Sequence, residues 1–210
     1  MSAARPTRSP LLRFQLPYLL TGWKRRIFGG DPLFLTFFVT SACNADCLHC
    51  LNVGRPSGEG DLLTPEEVDR IASSMKPLPN LLVSGGEPFL RRDLADLLGP
   101  FARHCRVGQI TIPTNGSLPG RIERVTGDIA EKCPGSKINL RIAIDGPPAL
   151  HDEIRGIEGG FEVAMETVER IERLRSSHPN LWLEFCVTLS TRNQDAFEAI
   201  LAELDRRGIS

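Results

Sequence analysis

The sequence has few aromatic residues, almost no net charge and no long apolar run. Tyrosine occurs once and tryptophan twice, and the 25 basic and 26 acidic residues leave a net charge of −1. That balance gives no electrostatic reason to expect nucleic acid as a partner. No segment is long and apolar enough for a transmembrane helix, and there is no internal repeat or low-complexity run. The 210 residues suffice for one sizeable domain with a substantial core.

The sequence also lacks a convincing secretory signal. Its first 30 residues are basic and contain no acid, but the segment from Leu11 to Trp23 is interrupted by Arg13 and Pro17. A signal peptide needs a cleaner apolar centre. We therefore expect a basic leader, 1–30, ahead of a core domain, 31–210. One interpretation of the leader is an amphipathic arm that contacts a membrane surface or a partner. Its prolines favour a partly ordered segment instead, because they interrupt a helix.

Six cysteines without a secretory signal indicate a reducing compartment, so the predicted location is cytoplasmic. In such a compartment clustered cysteines more often bind metal than form disulfides. Three of the six lie within eight residues, at Cys43, Cys47 and Cys50, with the spacing C-x3-C-x2-C. They follow the apolar run Leu33–Val39, which is predicted to be a strand. The cysteines are therefore expected on a loop at a strand's carboxyl end, where α/β folds place their chemistry.

Three thiolates at this spacing suit an iron–sulfur cluster. No fourth cysteine lies nearby, so one iron would be open to a substrate or cofactor, as in catalytic metal sites. Two other interpretations stay open: a zinc site completed by His49 or a distant ligand, and chance clustering. His49 is a poor ligand for a metal that Cys50 also binds, because it is the preceding residue.

The rest of the chain alternates apolar runs with helical patterns. Thr64, Pro65 and Glu67 form a predicted capping box with proline at the first helical position. Repeated strand–helix units predict an α/β fold with a parallel sheet and right-handed crossovers. The predicted strands are Leu33–Val39, Leu81–Val83, Gln109–Ile112, Ile138–Ile144 and Leu181–Leu189. The predicted helices begin near Thr64, at Leu90, around Arg121, at Phe161 and at Phe197.

The cysteine segment resembles the C-x3-C-x-aromatic-C signature of the radical S-adenosylmethionine (radical SAM) superfamily. The resemblance implies that Cys43, Cys47 and Cys50 hold a [4Fe–4S] cluster whose open iron binds S-adenosylmethionine (SAM). It also implies that the residue before the last cysteine, here His49, packs on the adenine ring. The expected fold is then a partial (β/α)6 barrel of which about five units are present, so the chain is interpreted as truncated before the sixth unit.

Further motifs follow successive predicted strands. Ser84-Gly85-Gly86-Glu87-Pro88 could be a plain turn, but its glycines would let backbone approach a ligand and Glu87 could receive an ammonium group. The segment resembles the superfamily's GGEP motif, which binds the amino group of SAM. This implies cofactor contacts from Gly85, Gly86, Glu87 and Pro88. Thr114-Asn115-Gly116 is a turn in structural terms, and in the family it borders the SAM site, which implies a contact from Asn115.

The segment from Ile142 to Gly156 resembles the S-x-D-G…H-D…R-G pattern of a subgroup that includes anaerobic sulfatase-maturating enzymes. In that pattern the serine and the arginine bind the SAM carboxylate. Arg155 matches, Asp145 is included as cofactor-binding, and Ala143 stands where the serine is expected. The alternative without a role in cofactor binding is a turn followed by a surface ion pair. Asn193, after the fifth strand, either lies near the adenosine or N-caps the last helix.

The resemblance covers Leu33–Ser210 and implies a radical SAM enzyme that cleaves SAM and abstracts hydrogen from an unidentified substrate. The subgroup suggests a peptide or a cofactor precursor, and reduction implies an electron donor such as flavodoxin or ferredoxin. No auxiliary cluster is expected. Two other classes remain: a non-catalytic metal-binding scaffold, which Ala143 and the missing sixth unit favour, and an electron-transfer protein.

Overall fold

The computed structural model describes residues 32–51 and 62–208. The predicted leader, 1–30, lies outside the described residues. The strands β1 to β5 lie at Phe34–Thr40, Asn80–Gly85, Gln109–Thr114, Lys137–Ala143 and Leu181–Cys186. The helices α1 to α6 lie at Pro65–Ser74, Leu94–Cys105, Pro119–Lys132, Pro148–Arg155, Gly160–Arg175 and Phe197–Arg206. All of these elements belong to one compact unit, Phe34–Ser210.

The five strands form one sheet in the order β1-β2-β3-β4-β5, and every neighbouring pair is parallel. Because each connection between parallel strands returns to the same end of the sheet, all five carboxyl ends lie along one edge. The predicted fold class, an α/β partial barrel with five strand–helix units, is confirmed.

The core lies between one face of the sheet and the helices. Alternate strand residues are buried there, among them Val83, Ile112 and Leu140, each fully shielded from solvent. Helix α1 begins at the predicted capping box: the Thr64 hydroxyl accepts from the Glu67 N–H, and the Glu67 carboxylate accepts from the Thr64 N–H. In the ranges 32–51 and 62–208, none of the helices is long and apolar enough to cross a bilayer.

The structure differs from the predicted elements at several boundaries and by one additional helix. Leu90 belongs to a 3₁₀ turn, Pro88–Leu90, and not to the second helix, which begins at Leu94. Strand β5 ends at Cys186 instead of Leu189, because the N–H of Thr188 donates to the Asp145 carboxylate at 2.7 Å and leaves the ladder. The structure adds a helix that the pattern did not predict, α4, in the segment between the fourth strand and the fourth predicted helix.

Candidate functional site

The three clustered cysteines lie on the loop that follows the carboxyl end of β1. Cys43 is exposed, Cys47 and Cys50 are partly buried, and none of them forms a disulfide. Near the end of the loop the N–H of Cys50 donates to the carbonyl oxygen of Cys47 at 3.0 Å. The three thiols therefore occupy the edge of the sheet at which all five strands end.

The Gly-Gly loop after β2 packs against the first residues of the cysteine loop. The N–H groups of Gly86 and Glu87 donate to the carbonyl oxygens of Thr40 and Ala42, each at 2.9 Å. A Cβ at Gly85 would lie 2.1 Å from the Thr40 oxygen, and one at Gly86 would lie 2.1 Å from the Ala42 oxygen. The sequence predicts that these glycines admit a ligand; in the structure they admit the backbone of the cysteine loop.

The other side of the cysteine loop rests on the end of α4. The N–H of Asp46 donates to the carbonyl oxygen of Arg155 at 3.2 Å, and that of Leu48 donates to Ile154 at 2.9 Å. Gly156 has φ +64°, and a Cβ there would lie 2.8 Å from the Asp46 oxygen. Glycine fits at this position because the left-handed conformation and the close approach both exclude a side chain. The loop is thus held between two segments that are distant in sequence.

Glu87 is almost completely buried and accepts three hydrogen bonds. Its carboxylate receives the N–H of Phe89 at 3.1 Å, the hydroxyl of Thr114 at 2.9 Å and the N–H of Asn115 at 2.8 Å. Burial raises the pKa of this carboxyl even though the three donors oppose the shift. A cationic ligand group beside it would favour its ionised form.

Asn115 connects the end of β3 to the cysteine loop. Its Nδ2 donates to the Asn44 Oδ1 at 2.9 Å, and its Oδ1 accepts from the N–H of Ser117 at 2.9 Å. Gly116 follows with φ +76°, as the predicted Asn-Gly turn requires. The side chain of Asn115 therefore positions the cysteine loop from a third strand.

The guanidinium of Arg155 joins the cysteine loop to a buried acid. Its Nη2 lies 2.5 Å from the Asp145 Oδ2, and its Nη1 donates to the sulfur of Cys47 at 3.7 Å. Its Nε is buried and makes no hydrogen bond to any described residue. This leaves one donor of Arg155 available to an anionic group.

Asp145 is fully buried and lies behind the site. Its Oδ1 accepts from Thr188, its backbone oxygen accepts from the Asn193 amide at 2.9 Å, and its Oδ2 faces Arg155 and, at 3.8 Å, the His49 Nε2. Both carboxylate oxygens of Asp145 face protein groups and Asp145 does not line the cavity, so its contact with a cofactor stays a prediction. Its role is to position Arg155 and the loop after β5.

Asn193 does not cap the last helix, so that alternative is wrong. Its amide donates to the carbonyl oxygens of Asp145 and Thr188, and its Oδ1 accepts from the N–H of Ser190 at 2.7 Å. Helix α6 begins four residues later, after a 3₁₀ turn at Gln194–Ala196. The side chain is buried, and it fastens the loop after β5 to the loop after β4.

His151, on α4, is buried and neutral. Its Nδ1 accepts the backbone N–H of Asp145 at 3.2 Å, and its ring packs edge-on against Phe161. Burial, followed by the nearby charge of Arg155, lowers the pKa of His151 from 6.5 to about 4. At pH values between these two pKa values, the imidazole of His151 is protonated in the unfolded chain but not in the folded protein. The contribution of His151 to the free energy of unfolding is therefore at its full value above the pKa of the unfolded state and is lost as the pH falls towards 4.

Lowering the pH from 7 to 5 is expected to reduce the free energy of unfolding of the wild-type protein by about 2 kcal/mol more than that of His151→Asn. Asparagine is the matched replacement, because its Oδ1 can accept the Asp145 N–H without titrating. Urea unfolding of the metal-free proteins at both pH values measures the difference. An equal pH dependence in the two proteins would contradict the assignment of a neutral, buried His151.

A cavity of about 520 Å³ lies at this edge of the sheet, a volume typical of small-molecule sites. Two predicted site residues, Pro88 and Asp145, do not line it. The strands add Ala143, which stands at the expected serine position, and Arg141 and Cys186, which the sequence motifs did not indicate. Strand alternation puts Arg141 and Ala143 on one face of β4. The predicted residues that line the cavity are Cys43, Cys47, Cys50, His49, Gly85, Gly86, Glu87, Asn115 and Arg155.

The chemistry of these thiols fits an iron–sulfur cluster. Burial raises the pKa of Cys43 and of Cys47, with Arg155 opposing the shift at Cys47, so metal binding there displaces protons. In residues 32–51 and 62–208 no three His, Cys, Asp or Glu side chains gather around a point that could hold a single ion. A structural zinc ion needs such a group, whereas the thiolates of a cluster bind different irons. Zinc remains the alternative that metal analysis has to test.

The chain is similar to known proteins over most of its length. The model of the radical SAM superfamily matches residues 37–204. The AdoMet-dependent heme synthase of Methanosarcina barkeri is 32% identical over 170 residues, which are 77% of this chain and 44% of that protein. The GTP 3′,8-cyclase of Brucella ovis is 33% identical over 121 residues, 55% of this chain and 34% of that protein. The chain thus spans less than half the length of these relatives.

The fold is also found in solved structures. One of them is described as native anSMEcpe with bound AdoMet and Cp18Cys peptide, and it superposes with a TM-score of 0.63 at 17% sequence identity. The match covers 85% of this chain and 49% of that one. At this identity the likeness extends to the fold, including the five-stranded parallel sheet that brings the cysteine loop and the Gly-Gly loop together.

Proposed function

Because the chain belongs to the radical SAM superfamily, we propose that it binds a [4Fe–4S] cluster through Cys43, Cys47 and Cys50 and uses it on SAM. When bound, the reduced cluster supplies one electron that cleaves SAM to methionine and a 5′-deoxyadenosyl radical, which abstracts hydrogen from a substrate. One observation carries the proposal: the three thiols line the same cavity as the Gly-Gly loop, Asn115 and Arg155.

The residues around the cavity have distinct tasks in this proposal. Glu87 supplies a carboxylate for the ammonium group of SAM, and the three hydrogen bonds it accepts hold it in place. Arg155 offers its unpaired Nε to the carboxylate group of SAM. Alanine at 143 removes the hydroxyl expected beside it, so Arg155 bears this contact alone. His49, whose Nδ1 is also buried and unpaired within the described residues, provides an imidazole ring for the adenine.

The cavity wall also controls the surroundings of the thiolates. Arg155 donates to the sulfur of Cys47, and a hydrogen bond to a cluster sulfur stabilises the reduced, more negative state. The buried ion pair with Asp145 keeps the guanidinium at that sulfur. Reduction requires an electron donor of the flavodoxin or ferredoxin type.

The proposed substrate is a peptide or a cofactor precursor. Two similar proteins support this choice: the heme synthase makes a cofactor, and the structural neighbour was solved with a peptide. The cytoplasmic location proposed from the cysteines agrees with a cluster that oxygen would damage. Ala143 favours the competing function, a scaffold that binds the cluster without turnover.

The test uses protein purified and reconstituted without oxygen. About four irons per chain are expected, and reduction with dithionite in the presence of SAM is expected to yield 5′-deoxyadenosine. The variant Cys47→Ala should lose both the bound iron and the formation of 5′-deoxyadenosine. Cys105→Ala is the matched control, since that thiol is buried at the end of α2 and donates to the Ala72 carbonyl oxygen away from the cavity. A cluster without SAM cleavage would favour the scaffold, and zinc in place of iron would overturn the proposal.

A further inference from the structure

The face of the sheet opposite the core carries polar and half-exposed side chains. On β4 and β5 the residues of this face pair directly across the ladder: Asn139 with Trp182, Arg141 with Glu184 and Ala143 with Cys186. Trp182 is 48% exposed. Parallel sheets normally bury both faces, and this face continues into the cavity through Arg141, Ala143 and Cys186.

Arg141 is the charged residue of this face that lines the cavity. Its Nε lies 3.0 Å from the Glu184 Oε2. No described residue accepts a hydrogen bond from its two terminal amino groups, Nη1 and Nη2. Glu184 therefore fixes the plane of the guanidinium while leaving donors that match the geometry of a carboxylate or phosphate.

Arg141 and a second cation, Lys137, both lie near Glu184. Lys137 lies on the same face, with its Nζ 4.1 Å from the centre of the Trp182 ring. Burial raises the pKa of Glu184, but Asn139, Arg141 and Lys137 together outweigh it and lower the pKa. Arg141 and Lys137 are thus two cations beside the carboxylate of Glu184 on this face.

Asn139 supplies an independent observation. It is fully buried on this face, and neither its Nδ2 nor its Oδ1 reaches a partner at hydrogen-bond geometry within the described residues, although the amide lies close enough to Glu184 to lower the pKa of that carboxyl. Buried side-chain amides are nearly always satisfied, so an exception marks a place where a ligand or water is expected. The unpaired amide lies two residues from Arg141 on the same strand and the same face.

We propose that Arg141 forms a subsite for an oxyanion of the substrate, a carboxylate or a phosphate, in the SAM cavity, with the buried Asn139 behind it on the same face. The proposal rests on the proposed function, because it assigns a chemical class to the substrate of that site. The terminal amino groups of Arg141 bind the anion, and the hydrogen to be abstracted lies on the part of the substrate that extends towards the cysteine loop.

The test measures binding without turnover. The full chain, reconstituted and saturated with SAM, is titrated separately with glutarate and with inorganic phosphate, and binding is followed by calorimetry. A dissociation constant in the millimolar range is expected for at least one of them, since one charged contact supplies little affinity. Binding of glutarate alone identifies a carboxylate substrate, and binding of phosphate alone identifies a phosphorylated one.

Arg141→Gln is expected to weaken this binding at least tenfold, and Arg141→Lys to weaken it less, because lysine keeps the charge but not the paired donors. Arg124→Gln is the control, since Arg124 forms only an exposed ion pair with Asp128 on α3; it should bind the anion as the wild type does. Unchanged binding in Arg141→Gln, or no binding of either anion to the wild type, would overturn the subsite.

Two outcomes separate this proposal from the proposed function. If Arg141→Gln lowers the affinity for SAM itself tenfold, Arg141 holds the SAM carboxylate and the substrate subsite is overturned while the function stands. If the chain binds the anion through Arg141 but gives no 5′-deoxyadenosine, the anion site stands and the catalytic proposal is overturned.

Discussion

Gly86→Ala is expected to lower the free energy of unfolding by about 3 kcal/mol or more and to abolish iron binding. The new Cβ would lie 2.1 Å from the carbonyl oxygen of Ala42 and 2.5 Å from its carbon. These are backbone atoms that cannot move as a side chain does, so the two loops must separate. Separation breaks the hydrogen bonds from Gly86 and Glu87 to the cysteine loop. Urea unfolding of the metal-free protein measures the stability, and iron analysis after reconstitution measures the site.

Gly120→Ala is the matched control for this substitution. Gly120 is the second residue of α3, and no atom lies within 4 Å of a Cβ placed there. Alanine is the better helix former, so this variant should gain up to about 1 kcal/mol and keep its iron. If Gly86→Ala matched Gly120→Ala in both measurements, the packing of the Gly-Gly loop against the cysteine loop would be excluded.

Asp145→Asn is expected to cost about 3–5 kcal/mol, because it leaves Arg155 as a buried charge without its partner. The side chain of Arg155 is only 12% exposed and that of Asp145 is fully buried. Asparagine preserves the shape and can still accept the N–H of Thr188, so the effect isolates the charge. The affinity for SAM should fall as well, since the guanidinium is no longer held beside Cys47.

A double-mutant cycle with Arg155→Gln tests this interpretation. The combined variant should be more stable than the sum of the two single effects predicts, by about 2 kcal/mol, because it contains no unpaired charge. Asp128→Asn provides the control, since its ion pair with Arg124 is exposed and should contribute less than about 1 kcal/mol. Strict additivity of Asp145→Asn and Arg155→Gln would refute a stabilising buried pair.

The sequence predicted the sheet and the placement of the cysteine loop correctly, because both depend on local patterns. Apolar runs of strand length alternate with amphipathic helices, and Cys43 follows the first run directly. The capping box at Thr64 is equally local, since both partners lie within one helical turn. The family motifs lie close together for a related reason: they occur at strand ends, and parallel strands collect their ends at one edge.

The contacts that hold the site could not be derived from the sequence. Gly85 and Gly86 permit a close approach, but the pattern does not say whether a ligand or the protein approaches. The burial of Asp145 and its pairing with Arg155 depend on long-range packing. The sequence therefore could not show that this carboxylate faces protein groups. Asn139 and Arg141 were missed because an alternating strand does not reveal which polar side chains lack partners after folding.

The support of the cysteine loop has a consequence for the order in which the site is assembled. Cys47 and Arg155 are separated by 108 residues, and the loop gains half of its backbone support from the end of α4. During synthesis, the thiols emerge long before the segment that shapes their surroundings. A nascent chain that has not yet reached Gly156 therefore carries all three cysteines without the site, and cluster insertion belongs to the late stages of folding.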